Sequence, residues 1–151
     1  MAIPRFSITR DWFKLDNSAN LFPAISAKQV PMVFRVSATL KERIHAEVLQ
    51  KALDKVIERF PYYKVRLRAG FFWYYLEHHE GRAYVRAEEA TPCESLPDAK
   101  SGGFLFRVTA YKRRIAVEFF HVLTDGSGGV AFLKTLIAKY LELKGHDIPD
   151  W

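Results

Sequence analysis

The residues best suited to chemistry lie in one stretch, where a histidine ends an apolar run and an Asp-Gly pair follows. His121 comes directly after Phe119-Phe120, and Asp125 and Gly126 stand four and five residues beyond it. An imidazole has an ordinary pKa of about 6.5, so at neutral pH it can accept a proton from an attacking hydroxyl, thiol or amine. We therefore interpret His121 as a general base at the end of a buried strand.

The residues after this histidine suit a rigid loop that opens into a helix. Asp125 can contact the imidazole directly, or it can pair with an arginine and thereby fix the loop. Gly126 permits a backbone conformation that other residues avoid, and Ser127-Gly128-Gly129 leads to a helix N-terminus whose N–H groups can receive an anion or a polar group. The spacing alone is common, so an ordinary core histidine followed by an Asp-Gly turn stays open as an alternative.

Periodicity predicts the elements that must position this stretch. Apolar residues recur at three- and four-residue steps over about 44–59 and 128–144, which indicates two helices, the second capped by Gly145. Segments rich in β-branched and aromatic residues indicate strands over 30–40, 63–69, 71–77, 84–86, 104–111 and 114–120. The last of these is the most apolar, and we expect it to lie centrally in its sheet.

The order of these elements predicts an α+β fold of two layers, with two helices on one face of a mixed, mostly antiparallel sheet. The strands over 63–86 are expected to form an antiparallel meander. Residues 87–103 are predicted as a loop, and residues 1–29 as an irregular arm that Trp12, Phe13 and Phe22 pin to the body. A chain of 151 residues is expected to form a single domain, 1–151.

Composition and charge disfavour several classes of function. The net charge is +6, but the charged residues are dispersed, which favours an ordinary solvated surface over a nucleic-acid interface. We find no apolar run long enough for a membrane span and no signal peptide, so we expect a cytoplasmic protein. Cys93 is the single cysteine, which rules out an intrachain disulfide. His78 and His79 would point to opposite faces of a strand, so we expect no metal site.

Three stretches resemble a known family. Residues Phe120-His121-Val122-Leu123-Thr124-Asp125-Gly126 are similar to the HHxxxDG motif of the chloramphenicol acetyltransferase-like superfamily, which includes peptide-synthetase condensation domains and alcohol acetyltransferases. The segment over 12–24 resembles the N-terminus of bacterial alcohol acetyltransferase-like proteins. Residues 59–67 stand where condensation domains carry an Arg-His-Pro segment after the first helix.

The resemblance implies roles for individual residues. The second histidine of the motif is the base in that family and corresponds to His121; it activates a hydroxyl or amine for attack on an acyl thioester of coenzyme A or of a carrier-protein pantetheine. The motif aspartate is structural and pairs with an arginine. Here it is Asp125, and we expect Arg66 as its partner, with Arg35 as the alternative. Phe120 replaces the first motif histidine.

The resemblance also implies that something beyond one chain completes the site. Condensation-type members consist of two similar halves with the active site between them, and this chain corresponds to the N-terminal half. Chloramphenicol acetyltransferase instead builds its site between identical subunits. We therefore expect the chain on its own to be inactive or very weak as a monomer.

Three functions stay open on the sequence. The first is an O- or N-acyltransferase domain that uses a coenzyme A or carrier thioester as co-substrate and binds no cofactor covalently. The second is a non-catalytic binding or carrier-docking module that keeps the fold, which Phe120 and the absent second half motivate. The third is a basic nucleic-acid binder, which has only the net charge in its favour.

Overall fold

The structure is a computed structural model that describes residues 12–14, 32–71, 74–89, 91–94, 96 and 103–149. Two short 3-10 turns, Ile57–Arg59 and Pro61–Tyr63, follow the first helix. The strands and α-helices of this part of the chain are, in order, β1 (Trp12–Lys14), β2 (Val33–Thr39), α1 (Ala46–Val56), β3 (Val65–Ala69), β4 (Tyr74–His78), β5 (Val85–Ala87), β6 (Phe106–Tyr111), β7 (Arg114–Phe120) and α2 (Gly126–Leu143).

The strands form two sheets. The larger sheet has the order β2-β7-β6-β5 and is antiparallel except for the parallel pair of β5 and β6, and the smaller sheet has the order β1-β4-β3. The predicted meander is therefore wrong beyond its first hairpin, because β3 and β4 pair but β5 leaves for the larger sheet. Tertiary contacts fix β5 there. Val85 packs against the main core, which is the apolar cluster between the two helices and the larger sheet, and the N–H of Val85 donates to Oε1 of Gln50 at 2.8 Å.

Both helices pack on one face of the larger sheet, as their apolar periodicity predicts. Helix α1 buries one stripe, and α2 buries another. Because each stripe lies on one side of its helix, the polar side stays in water and the apolar side covers the sheet. The buried residues are Leu49, Ala52, Leu53 and Val56 in α1, and Gly129, Phe132, Leu133, Leu136 and Tyr140 in α2. The predicted α+β arrangement with helices on one face is confirmed.

Strand β7 lies between β2 and β6, and every residue from Ile115 to Phe120 is buried. The prediction that it is central is confirmed. Its alternate residues Ile115, Val117 and Phe119 face the helices. Phe120 instead belongs to a second apolar cluster, which joins the larger sheet to the smaller one. The other buried members of that cluster are Val65, Leu67, Leu96, Leu105 and Val122.

The N-terminal arm contains a strand that the sequence did not predict. Residues Trp12–Lys14 pair antiparallel with β4, with Phe13 opposite Leu76. The expected anchoring by the side chains of Trp12, Phe13 and Phe22 lies outside what the structure describes. Among the helices that are described, none has the length and apolar character needed to cross a membrane.

The C-terminal end of α2 gives a test of local backbone strain. Gly145 follows the helix with φ +89°, in the left-handed region, which confirms its predicted role as a cap. Gly145→Ala is expected to lower the free energy of unfolding by about 1 kcal/mol, because a Cβ disfavours that conformation. Urea denaturation of the purified protein measures the loss.

The matched control is Gly126→Ala in the first turn of the same helix. A Cβ there would meet no atom within 4 Å, and the backbone is not left-handed, so stability should be unchanged or slightly raised. Equal losses in the two variants would contradict the explanation by backbone strain.

Candidate functional site

His121 is the first residue after β7, and its side chain is exposed. Its backbone N–H donates to the carbonyl of Met32 at 2.9 Å, which continues the pairing of β7 with the chain before β2. The imidazole lies 4.6 Å from the ring of Phe34, centroid to centroid, at an interplanar angle of 41°. This exposed position contradicts the alternative of a buried core histidine and leaves an imidazole at the end of a rigid strand.

Asp125 caps helix α2. Its Oδ1 accepts a hydrogen bond from the N–H of Gly128 at 2.8 Å, and its carbonyl accepts from Gly129 at 3.0 Å. Such a cap satisfies an N–H group that the first helical turn leaves without a partner. The aspartate therefore fixes the loop after His121 through the helix backbone.

The expected arginine partners of Asp125 are engaged elsewhere. Arg66 of β3 stands directly opposite Glu77 of β4 and donates to it from Nε at 2.7 Å. Arg35 donates to Glu88 and Glu118. Within the residues that the structure describes, neither arginine pairs with Asp125, so this expectation is corrected. The reason is strand register, which places a carboxylate beside each guanidinium.

Gly126 also differs from its expected role. It is the first residue of α2, it has no left-handed backbone, and a Cβ would meet nothing within 4 Å. The close approach of neighbouring side chains instead constrains Gly128 and Gly129. A Cβ on Gly128 would lie 2.1 Å from Oγ1 of Thr124, and one on Gly129 would lie 2.9 Å from Cε2 of Phe34. The sequence pattern placed both glycines at the start of the helix but did not predict their close packing, although paired glycines inside a helical pattern are a signal of it.

The loop between His121 and α2 is tied to the main core by one hydrogen bond. The hydroxyl of Tyr63 donates to Oγ1 of Thr124 at 3.1 Å. Tyr63 is fully buried, and burial raises the pKa of its phenol, so the hydroxyl keeps its proton. The N–H of Leu123 closes the turn on the carbonyl of Phe120 at 2.8 Å. The hydrogen bonds of Leu123 and Thr124 therefore fix the loop between His121 and α2.

Phe120, which stands in place of the first motif histidine, is only 6% exposed and packs in the second apolar cluster. Its neighbours there include Val65, Leu67 and Leu105. An apolar ring suits this position better than an imidazole, because a buried imidazole needs hydrogen-bond partners. The substitution thus fits the packing of the strand and leaves His121 in place.

A buried ion-pair network lies on the face of the larger sheet opposite the helices. Glu118 of β7 is 2% exposed and stands between Arg35 of β2 and Arg107 of β6 in register. Its carboxylate accepts from Nη1 of Arg35 at 3.0 Å, from Nε of Arg107 at 2.7 Å and from the N–H of Cys93 at 3.1 Å. The network therefore joins three strands to the segment that contains Cys93. A glutamate inside the apolar run of β7 was a sequence signal for it.

The network sets the protonation of its members. Burial by itself would raise the pKa of Glu118, but the hydrogen bonds from the N–H of Cys93 and from Arg107 and Arg35 more than offset it and lower that pKa. Burial and the nearby Glu118 carboxylate raise the pKa of the Cys93 thiol. A protonated thiol is a poor nucleophile, so Cys93 is not suited to nucleophilic chemistry.

The two adjacent histidines occupy different surroundings. His79 stacks on Phe104 with centroids 4.3 Å apart, and its Nδ1 accepts from the N–H of Gly81 at 2.9 Å. Burial, then Arg66 and His78, lower the pKa of His79. The residues that the structure describes contain no group of three His, Cys, Asp or Glu side chains arranged to hold a metal.

Solved structures share this fold, whereas no protein-family model and no curated protein sequence matches the chain. The starter condensation domain of rhizomide synthetase RzmA is similar with TM-score 0.71 and 13% identity, over 93% of this chain and 40% of that one. Polyketide synthase associated protein 5 from Mycobacterium tuberculosis has TM-score 0.63 and 17% identity, over 92% and 36%. A chain in the complex of the X-domain and OxyB from teicoplanin biosynthesis has TM-score 0.66 and 17% identity, over 89% and 33%.

The chain therefore has the fold of condensation domains and their structural relatives, which confirms the superfamily fold expected from the motif. It spans about 40% of the length of the starter condensation domain. At these identities the likeness concerns the fold alone.

The buried carboxylate gives a test of stability against pH. Glu118→Gln is expected to lower the free energy of unfolding by about 3 kcal/mol, because it leaves two half-buried guanidinium groups short of a counter-charge. Because the pKa of Glu118 is lower in the folded protein, its stabilisation is full above the unfolded value of about 4.3 and is lost as pH falls through the folded pKa. Urea denaturation between pH 7 and pH 3 should show a shallower acid loss in the variant.

The matched control is Glu58→Gln, which removes a carboxylate that pairs with Lys64 but is 67% exposed. Its expected cost is below about 1 kcal/mol, because solvent screens an exposed pair. If the two variants lost the same stability, the network would not be a major stabilising element.

Proposed function

We propose that the chain is one part of an O- or N-acyltransferase of the cytoplasm, in which His121 is the general base. One observation supports this most directly: the exposed imidazole at the end of the central strand, in a chain with the condensation-domain fold. Asp125 fixes the loop after His121 by capping α2, and the ring of Phe34 contacts the imidazole itself. A base held in one orientation is what proton abstraction needs.

The proposed reaction transfers an acyl group from a thioester to an acceptor hydroxyl or amine. A ring nitrogen of His121 takes the acceptor proton while the acceptor oxygen or nitrogen bonds to the carbonyl carbon. The carbon–sulfur bond then breaks, and the protonated imidazole returns the proton to the leaving thiolate. General-base catalysis of this kind contributes on the order of 10² to 10⁴ in rate.

The donor is proposed to be an acyl thioester of coenzyme A or of a carrier protein. A variant of the RzmA starter condensation domain, with TM-score 0.69 to this chain, has been solved in complex with C8-CoA and Leu-SNAC, which supports a thioester donor. Because the chain spans about 40% of that kind of domain, we propose that a second half-domain or another copy of this chain completes the site. Residues 1–151 as a monomer are expected to be inactive.

The test uses the full-length or assembled protein and measures the turnover of octanoyl-CoA with a panel of primary alcohols and amines. Turnover is followed as the release of the free thiol of coenzyme A. His121→Ala is expected to lower kcat by about 10² or more, because the base is lost. His146→Ala is the matched control: this exposed histidine lies after α2, and its loss should leave kcat unchanged.

Two results would contradict the proposal. Unchanged turnover in His121→Ala would exclude the base and favour a non-catalytic binding or carrier-docking module. Robust turnover by a demonstrably monomeric sample of residues 1–151 would show that no second part is needed.

A further inference from the structure

We infer that Phe34 sets the orientation of the His121 imidazole, and that Gly129 is a glycine because the Phe34 ring occupies the space beside it. This inference rests on the proposed function only in so far as orientation matters for turnover. Phe34 is a positioning residue, because it acts on the reaction through the orientation of the imidazole.

The ring of Phe34 contacts both the imidazole and a core phenylalanine. Phe34 of edge strand β2 stands opposite Phe119 of β7, and the two rings stack with centroids 5.4 Å apart at an angle of 25°. The same ring lies 4.6 Å from the imidazole of His121, centroid to centroid. The imidazole therefore rests on a ring that is itself held by a fully buried side chain.

The first turn of α2 also approaches the Phe34 ring closely. A Cβ on Gly129 would lie 2.9 Å from Cε2 and 3.2 Å from Cζ of Phe34, and 3.1 Å from Cε2 of Phe119. Aromatic rings are rigid, so a side chain at this position would have to displace one of them. Helix α2, strand β7 and the imidazole thus meet on one phenylalanine.

This arrangement explains a glycine that neither a turn nor the helix requires. Gly129 is buried in the first turn of α2, where glycine weakens a helix relative to alanine, so packing must favour it. Gly129 also links the Gly/Ser segment after Asp125 to the base. The absence of a side chain at Gly129 leaves room for the Phe34 ring, and that ring contacts the imidazole of His121. A small displacement of a catalytic group can cost up to about a hundredfold in rate.

The experiment compares Phe34→Leu, Phe34→Tyr and Gly129→Ala by two readouts in the full-length or assembled protein. The first is kcat and KM for octanoyl-CoA. The second is the NMR shift of the Hε1 proton of His121, assigned with His121→Gln. Phe34→Leu should lower kcat about ten- to a hundredfold with KM nearly unchanged, and should remove the ring-current shift of Hε1. Phe34→Tyr keeps an aromatic ring and should leave kcat and the Hε1 shift close to those of the unmodified protein, whereas Gly129→Ala should change both although Phe34 is still present.

Two matched controls separate positioning from packing. Phe106→Leu makes the same change on β6, at the residue paired with Phe119 from the other side. Gly126→Ala adds a methyl group to the same helical turn without a close contact. Both should leave the His121 Hε1 shift in place, and neither should lower kcat beyond any loss of folded protein measured by circular dichroism.

The outcomes are distinguishable. If Phe34→Leu and Gly129→Ala leave the Hε1 shift unmoved, or if Phe106→Leu lowers kcat as much as Phe34→Leu does, Phe34 is a core residue only and the inference fails. If the Hε1 shift responds as expected but the unmodified protein transfers no acyl group, the positioning stands and the proposed function fails.

Discussion

Burial of β7 on both of its faces is the constraint on which the rest of the structure depends. Successive residues of a strand point to opposite faces, so Phe119 enters the core under the helices while Glu118 enters the charged face behind it. A slip of one residue would exchange these environments and place a carboxylate against α2. The ion pairs with Arg35 and Arg107 therefore select the register, and this register leaves His121 at the exposed end of the strand.

The loop that follows β7 is held by packing and hydrogen bonds. Asp125 caps the helix, Thr124 accepts from the buried Tyr63, and Gly128 leaves room for the Thr124 hydroxyl. An ion pair between the motif aspartate and an arginine is not needed for this geometry. The arginines that the motif suggested bind carboxylates on neighbouring strands, where they join strands to one another.

The comparison with condensation domains shows how far a fold persists when sequence similarity is low. Identity to the RzmA domain is 13%, yet the TM-score is 0.71. A fold is specified largely by which positions are apolar and of suitable volume, and several different sequences can satisfy such a pattern. Phe120 illustrates this, because its position faces an apolar cluster and accepts a phenylalanine without disturbing the residue beside it.

The sequence by itself determined the elements whose signals are local. The bounds of β7, the apolar stripes of both helices and the left-handed cap at Gly145 all follow from periodicity or backbone preference, which act within a few residues. Only the tertiary structure decided the partners. The parallel pairing of β5 with β6, the ion pair of Arg35 with Glu118 and the close contact between Gly129 and Phe34 join residues far apart in the chain. Register and packing select such neighbours, and no local pattern in the sequence encodes them.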